Sequence, residues 1–263
     1  MNTDTAHFTL APRRVARGVL AAACGAMLLL SGCASLQGAD PRDPIEPVNR
    51  KIYGFNDVVD RMFLKPVATA YNDVTPRPVR VGVSNFFSNA SDVWSFFNNV
   101  VQLKPKESVE TLARVSVNTV LGLGGVLDVA SEIGIEQHKE DFGQTMGFWG
   151  VPSGPYLVLP ILGPSTVRDA AALRLDTLGN PLSDVDPIRT RNQITLINAV
   201  DTRAGYLRAG QTLQEAALDP YSFIRDVYLQ KRRNDIYDGR PPEDGEPPEA
   251  TPTPPAAPAS AAQ

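Results

Sequence analysis

Residue types that commonly perform catalysis are sparse in this sequence. Its two histidines are His7, in the N-terminal segment, and His138, in the charged run EQHKED, where a solvated role is favoured. Ser153 lies in VPSGP, which lacks the spacing and the strand-to-helix setting of a nucleophile elbow. The sequence contains no P-loop, and no Cys/His set has zinc-site spacing. We therefore expect a protein that is not an enzyme and has no metal or resident cofactor, although carboxylates without a recognisable pattern leave an esterase or phospholipase open.

One cysteine has the setting of a covalent attachment site. Three arginines precede an apolar run at 18–30 that is too short to span a bilayer comfortably, and Leu-Ser-Gly-Cys follows at 30–33. This tetrad is similar to a bacterial lipobox, after whose cleavage Cys33 carries an S-diacylglycerol and an N-acyl chain. Several chains anchor a protein durably, since each buried CH₂ contributes about 0.8 kcal/mol. We expect a signal peptide over 1–32 and an acylated tether over 33–46, and Ala34 after the cysteine implies sorting to the outer membrane.

The charge balance excludes some partners. The chain has 29 acidic and 25 basic residues, and removal of the signal peptide takes away three arginines but only one acid. A nucleic-acid-binding protein would show the opposite imbalance. Nucleic acid is therefore not expected as a partner.

The central run 141–169 is irregular and apolar. Its five glycines and four prolines forbid a long helix or an interior strand. Such a loop can pack into a core, but on a protein anchored at a membrane it can also enter hydrocarbon. We predict that 156–162 forms an ordered turn or short hairpin that reaches towards the bilayer. The predicted membrane-facing residues are Tyr156, Leu157, Leu159, Ile161 and Leu162.

The rest of the body is predicted to form amphipathic helices. Apolar residues recur at three- and four-residue steps in the segment from 47 to 64, and the same period continues in 79–103, 104–122 and 190–210. Either Ser165 or Thr166 is the predicted N-cap of one further helix, and Asp219 is the predicted N-cap of another. The spacing does not decide whether these helices surround a globular core or lie in a membrane surface. We predict a mainly α fold over 47–238, followed by a disordered Pro/Ala/Glu-rich tail over 239–263.

Several segments together resemble one family. DPIEPVNRKIYGFND, VGVSNFFSN, TVLGLGGVLDVA, the whole central run, DTRAGYL and DPYSFIRDVYLQKR are similar, in this order, to the MlaA (VacJ) family of outer-membrane lipoproteins. The resemblance implies a ring or disc of amphipathic helices with a central channel, held in the outer membrane of a Gram-negative bacterium on its periplasmic side. It implies removal of mislocalised phospholipids from the outer leaflet, which maintains lipid asymmetry. The implied partners are phospholipid, a trimeric outer-membrane porin and a periplasmic MlaC-like lipid carrier.

The resemblance also nominates site residues. Asn49, Phe55 and Asn56 match a family motif in which small changes are expected to misgate the channel. Arg189 and Arg191 are hypothesised to line the lumen or its exit, because cations attract a lipid phosphate. The alternative is a structural lipoprotein that docks on a porin and moves no lipid.

Overall fold

The computed structural model describes residues 40–242. The predicted signal peptide, Cys33, most of the tether and the tail beyond residue 242 lie outside these residues. Residues 40–44 belong to an N-terminal unit, in which Arg42 forms an ion pair with Asp40 at 2.7 Å. The second compact unit begins at Ile45 and contains every helix and strand described below.

The second unit is mainly helical, and its only strands within residues 45–242 form one hairpin. The helices are α1 (Glu46–Val59), α2 (Lys65–Val74), α3 (Arg77–Val101), α4 (Pro105–Val120), α5 (Val129–Glu132), α6 (Phe142–Phe148), α7 (Val167–Gly179), α8 (Ile188–Gly205), α9 (Leu207–Ala216) and α10 (Pro220–Ile236). The strands are β1 (Tyr156–Leu159) and β2 (Gly163–Thr166). The predicted mainly helical class, with an ordered hairpin inside the Gly/Pro-rich run, is confirmed.

A π-helical turn over Asp60–Leu64 joins α1 to α2. The sequence predicts a break at Lys65-Pro66, but the chain remains helical through this point. Pro66 lies in the first turn of α2, where a missing N–H costs little, and the Lys65 N–H bonds to the Asp60 carbonyl across the wider turn. The predicted break is therefore a change of helical pitch.

Helices α3 and α4 pack against each other through polar faces. Each buries residues at helical spacing, and on α4 no apolar side chain is among them. Buried amides and hydroxyls are costly unless they are hydrogen-bonded, and here some bond to neighbouring segments while others bond to carbonyls of their own helix. Asn89 donates to the Thr119 hydroxyl at 3.1 Å, for example, and Gln102 donates to Glu140 at 2.9 Å. The buried polar residues of these helices are Asn89, Asp92, Ser95, Asn98, Asn99, Ser108, Thr111, Arg114 and Asn118.

The apolar faces of the same helices point outward. Val109 and Val120 of α4 are 67% and 77% exposed, and Phe97 of α3 is half exposed. On α1, the predicted apolar face is likewise open at Val48 and Phe55. The described helices nevertheless lack a stretch whose length and hydropathy would suffice for a transmembrane span. Polar residues inside and apolar residues outside reverse the arrangement usual in water.

Within residues 45–242, buried apolar side chains form two small clusters. One joins Ala68 of α2 to Val200 and Leu207 at α8 and α9. The other places Tyr156 and Val158 of β1 against Tyr221 of α10. The second cluster fixes the base of the hairpin on the helical body.

Two predicted helix starts are confirmed in detail. The Thr166 hydroxyl accepts the Asp169 N–H at 3.2 Å and caps α7. The Asp219 carboxylate accepts the Tyr221 N–H and caps α10, with Pro220 in its first turn. Because α7 follows β2 directly, its cap also sets where the hairpin ends.

Candidate functional site

Asn49 on α1 holds the outer edge of β1. Its side-chain amide donates to the Tyr156 carbonyl at 3.0 Å, and its amide oxygen accepts the Val158 N–H at 2.9 Å. These backbone groups point away from β2, so without Asn49 they would have no strand partner. The side chain is 1% exposed. Asn49 therefore completes the sheet edge in the manner of a neighbouring strand.

Asn56 repeats the contact two helical turns later. It donates to the Leu159 carbonyl at 2.9 Å and accepts the Ile161 N–H at 2.7 Å. We call this pair of asparagines, bonded to the backbone of 156–161, the asparagine clamp. Phe55 beside it is 52% exposed and points outward. Of the three residues nominated on α1, the structure brings Asn49 and Asn56 together with the hairpin and leaves Phe55 on the surface.

The hairpin exposes its tip and buries its base. Ile161 and Leu162, in the turn after β1, are 76% and 70% exposed. Leu157 and Leu159 are partly buried. Tyr156 is 1% exposed, so the prediction that it faces the membrane is wrong in this structure. Strand alternation explains the difference, because Tyr156 and Val158 share the inward face of β1.

The turn geometry depends on residues with left-handed backbone. Gly163 has a φ of 84° and Ile161 has a φ of 67°. Glycine adopts such angles at no steric cost, whereas a β-branched residue is strained there. The Asn56 oxygen bonds to the N–H of Ile161 itself, so the clamp holds the strained residue in place.

Tyrosines fasten the base of the hairpin to α10. The rings of Tyr156 and Tyr221 pack edge-to-face with centroids 6.3 Å apart, and those of Tyr156 and Tyr228 lie 6.1 Å apart. The Tyr228 hydroxyl donates to Asp169 at 2.8 Å. Burial raises the pKa of Tyr228, and the nearby Asp169 carboxylate raises it further. Aromatic packing and one polar contact thus fix the base, while the tip stays open.

Arg232 on α10 joins the ends of the central run. Its guanidinium donates to Asp141, the N-cap of α6, at 2.6 and 3.0 Å, and to Asp169 of α7 at 3.0 Å through each of two nitrogens. Burial alone would raise the pKa of both carboxyls, but the bonds to Arg232 hold both pKa values below their usual range. Gly143 lies against this pair, since a Cβ there would stand 2.6 Å from an Asp169 oxygen. Asp141, Asp169 and Arg232 are called the carboxylate bridge below.

The two predicted arginines lie on or near an open groove along α8. Arg189 lines it with apolar and amide neighbours, in a space of about 510 Å³. Arg191 instead points back to the Ser183 carbonyl at 3.3 Å. Within the described residues, neither arginine is seen to hydrogen-bond to α1 or the hairpin. The groove is lined by Ile188, Arg189, Asn192, Gln193 and Leu196.

Comparison with known proteins assigns the family. The model of the MlaA lipoprotein family matches residues 41–235, which include the clamp, the hairpin and the carboxylate bridge. The chain belongs to the MlaA lipoprotein family. The intermembrane phospholipid transport system lipoprotein MlaA of Escherichia coli (strain K12) is 36% identical over 210 residues, which cover 77% of this chain and 82% of the relative. The same-named protein of Haemophilus influenzae is 32% identical over 230 residues, covering 81% and 88%.

A solved structure shares the fold. A chain from work on the structural basis for maintenance of bacterial outer membrane lipid asymmetry superposes with a TM-score of 0.66 at 34% identity. The match covers 74% of this chain and 98% of that chain. The resemblance seen in the sequence segments is thereby confirmed, and it extends over most of the MlaA-type body.

Sequence reasoning missed the carboxylate bridge. It places Asp141 and Asp169 at the limits of the central run and connects neither acid with Arg232 on α10. A local signal was present, because an acid such as Asp141 can cap the short helix that follows it. The position of the buried cation between them depends on contacts 63 and 91 residues apart in the chain.

Proposed function

We propose that this chain is an outer-membrane lipoprotein that removes mislocalised phospholipids from the outer leaflet and passes them on for return transport; its MlaA relatives are named as lipoproteins of an intermembrane phospholipid transport system. The observation that carries the proposal is the reversed burial. Polar side chains fill the interface between α3 and α4, and apolar ones cover the outside of the same helices. A protein built in this way is stabilised when hydrocarbon surrounds it, because its outward apolar faces leave water while its polar side chains bond to one another inside.

Membrane attachment in this proposal has two parts. The acylated Cys33 supplies the anchor on the periplasmic side, and exposed apolar side chains of the body supply lateral contact with acyl chains. Helices without a transmembrane stretch can lie within one leaflet. Exposed residues of this kind include Val109, Val120 and Phe97, together with Ile161 and Leu162 at the hairpin tip.

The groove on α8 is proposed to accommodate part of the passing lipid. Ile188 and Leu196 are 60% and 62% exposed and can contact acyl chains, while the Arg189 guanidinium can pair with a phosphate. A charged headgroup is costly to move through hydrocarbon without such a polar contact. In this proposal Arg191 acts indirectly, by supporting the turn at Ser183 that precedes α8.

The hairpin is proposed to control the path. The clamp fixes one edge of β1 to α1, so a change at Asn56 would free the hairpin tip, and a change at Asn49 would loosen the edge of β1 while tyrosine packing keeps the base against α10. This arrangement supports the expectation that small changes at this part of α1 misgate transfer. A trimeric porin and a periplasmic MlaC-like carrier remain the proposed partners, on the strength of the family resemblance. Transfer is proposed to involve no covalent step, so Ser153→Ala should leave it intact.

Lipid retrieval in cells tests the proposal. A strain that lacks the gene should accumulate phospholipid in the outer leaflet, measured by labelling of surface-exposed headgroups, and the wild-type gene should restore asymmetry. Arg189→Glu should fail to restore it, whereas Arg174→Glu, the same charge change at an exposed position of α7, should restore it. A normal outer leaflet in the deletion strain, with altered envelope mechanics, would instead support a structural scaffold.

A further inference from the structure

The segment 135–141, between α5 and α6, presents two side chains to α4. Gln137 points inward and donates to both carboxylate oxygens of Asp92 on α3, at 2.9 and 3.0 Å. Its neighbours Glu136 and His138 lie on the other side, next to Glu110 of α4. A two-residue spacing in non-helical backbone puts both side chains on one face.

Glu110, Glu136 and His138 form a compact donor set. One imidazole nitrogen and two carboxylate oxygens all lie within 4.8 Å of one another. His138 Nε2 is 2.6 Å from Glu110 Oε2, and the exposed Lys106 is 3.8 Å from the other oxygen of Glu110. Glu136 has no ion pair within residues 40–242. Two carboxylates this close repel each other, and a cation between them would remove the repulsion.

The backbone around the set is held from several sides. Asn99 donates to the His138 carbonyl at 3.3 Å, and Arg114 donates to the Ile135 carbonyl at 2.6 Å. Just beyond, the buried Glu140 accepts from Gln102 at 2.9 Å and from Lys104 at 2.9 Å. Supporting contacts of this kind keep donors in position before an ion arrives.

We propose that Glu110, Glu136 and His138 bind a divalent transition metal of the zinc class. Imidazole and carboxylate donors suit Zn²⁺, whereas Mg²⁺ and Ca²⁺ prefer oxygen ligands alone. Three protein ligands leave a fourth tetrahedral position for water. The ion would take the place of the proton between His138 Nε2 and Glu110, with ligand distances of about 2 Å. It would fasten the segment between α5 and α6 to α4. None of its three ligands belongs to the clamp or the hairpin.

Binding of ZnCl₂ to the full mature protein in detergent, after removal of metals with a chelator, tests the site by calorimetry. Visible absorption of Co²⁺ in place of zinc reports whether the ligands are tetrahedral. The deciding variant is Glu136→Gln, which removes one donor and leaves the His138–Glu110 contact in place. We expect one ion per chain and at least a tenfold weaker affinity for the variant, since even outer-shell partners of metal sites contribute 10- to 100-fold.

The matched control is Glu132→Gln, the same change at an exposed acid on α5. Its affinity should equal that of the wild type. His138→Ala should abolish binding, and if that variant does not fold, Glu136→Gln decides the question. Absence of Zn²⁺ and Co²⁺ binding at about 100 μM would overturn the proposal. Equal affinity of Glu136→Gln and wild type would overturn it as well, and so would equal competition by Mg²⁺ or Ca²⁺.

Discussion

Replacing Asn49 by alanine should release the hairpin from α1 without unfolding the helical body. The change removes two buried hydrogen bonds, one to the Tyr156 carbonyl and one from the Val158 N–H. Each lost bond costs about 1 kcal/mol, and an unpaired buried group adds to this, so we expect about 2–4 kcal/mol in total. That free energy corresponds to about a 30- to 700-fold change in a local opening equilibrium.

Hydrogen exchange of the Val158 amide measures this equilibrium directly, because its N–H bonds to Asn49 and not to β2. In Asn49→Ala the amide should exchange faster by the stated factor, whereas amides within α3 and α4 should be unchanged. Asn56→Ala should accelerate the Ile161 amide by only about 2- to 10-fold, since Asn56 is less buried and water can replace its bonds.

Asn192→Ala, at an exposed position of α8, is the matched control and should leave the hairpin amides as they are. Asn49→Asp separates the two bonds, because a carboxylate still accepts the Val158 N–H but faces the Tyr156 carbonyl with a second acceptor. If Val158 exchanges in Asn49→Ala within twofold of the wild-type rate, the clamp contributes nothing to hairpin stability and the reasoning is refuted.

Three further predictions concern the stability of the body, measured as unfolding midpoints in detergent. Arg232→Leu removes the cation that Asp141 and Asp169 share, while Asp169 keeps its bonds from Arg168 and Tyr228, and should cost about 1.5–3 kcal/mol; a loss below 1 kcal/mol would show that the carboxylate bridge is not stabilising. Gly143→Ala should destabilise by about 1–3 kcal/mol because its Cβ meets the bridge, whereas Gly54→Ala, in open space on α1, should stabilise slightly; the same sign for both would contradict the close approach. Asp128 has a pKa lowered to about 2, because bonds from its neighbours outweigh the effect of burial, so it stabilises above its ordinary pKa of about 3.9. The midpoint difference between wild type and Asp128→Asn should therefore be full at pH 7 and shrink from pH 4 to pH 2, and a difference that persists at pH 2 would contradict this linkage.

The sequence predicts elements well where the determinants are local. The caps at Thr166 and Asp219 and the start of α4 at Pro105 follow from residues within one turn of the helix, and all three are observed. The hairpin at 156–162 was likewise predictable, because prolines and glycines punctuate a short apolar run. Which side chains of β1 face inward was not predictable, because alternation assigns residues to two faces without saying which face packs on the body.

Helical periodicity predicts which residues share a face of α4, but it does not predict what that face contacts. The spacing correctly groups Val109, Leu112 and Val120 on one side, and all three are exposed while the polar side is buried. An apolar stripe marks the face that avoids water, and that face can meet either a core or hydrocarbon. Whether a pattern points inward therefore depends on the surrounding medium, which the pattern does not specify.

The clamp and the carboxylate bridge lay beyond sequence reasoning for another reason. Asn49 and Tyr156 are 107 residues apart, and a single sequence carries no record of which distant groups meet. The family resemblance pointed to Asn49 and Asn56, but only as residues whose change has consequences. Their physical role, as a substitute for a missing strand, is visible only in the three-dimensional structure.

The two asparagines also make α1 intolerant of changes in length. Seven residues of helix rise about 10.5 Å, and the three residues from Tyr156 to Leu159 span about 10 Å of extended strand, so the two asparagines reach carbonyls that lie the same distance apart. An amino-acid substitution between residues 49 and 56 keeps this match, but deletion of a single residue shifts Asn56 by about 1.5 Å along the axis and about 100° around it. The interval from Asn49 to Asn56 should therefore tolerate changes of residue type but not changes of length.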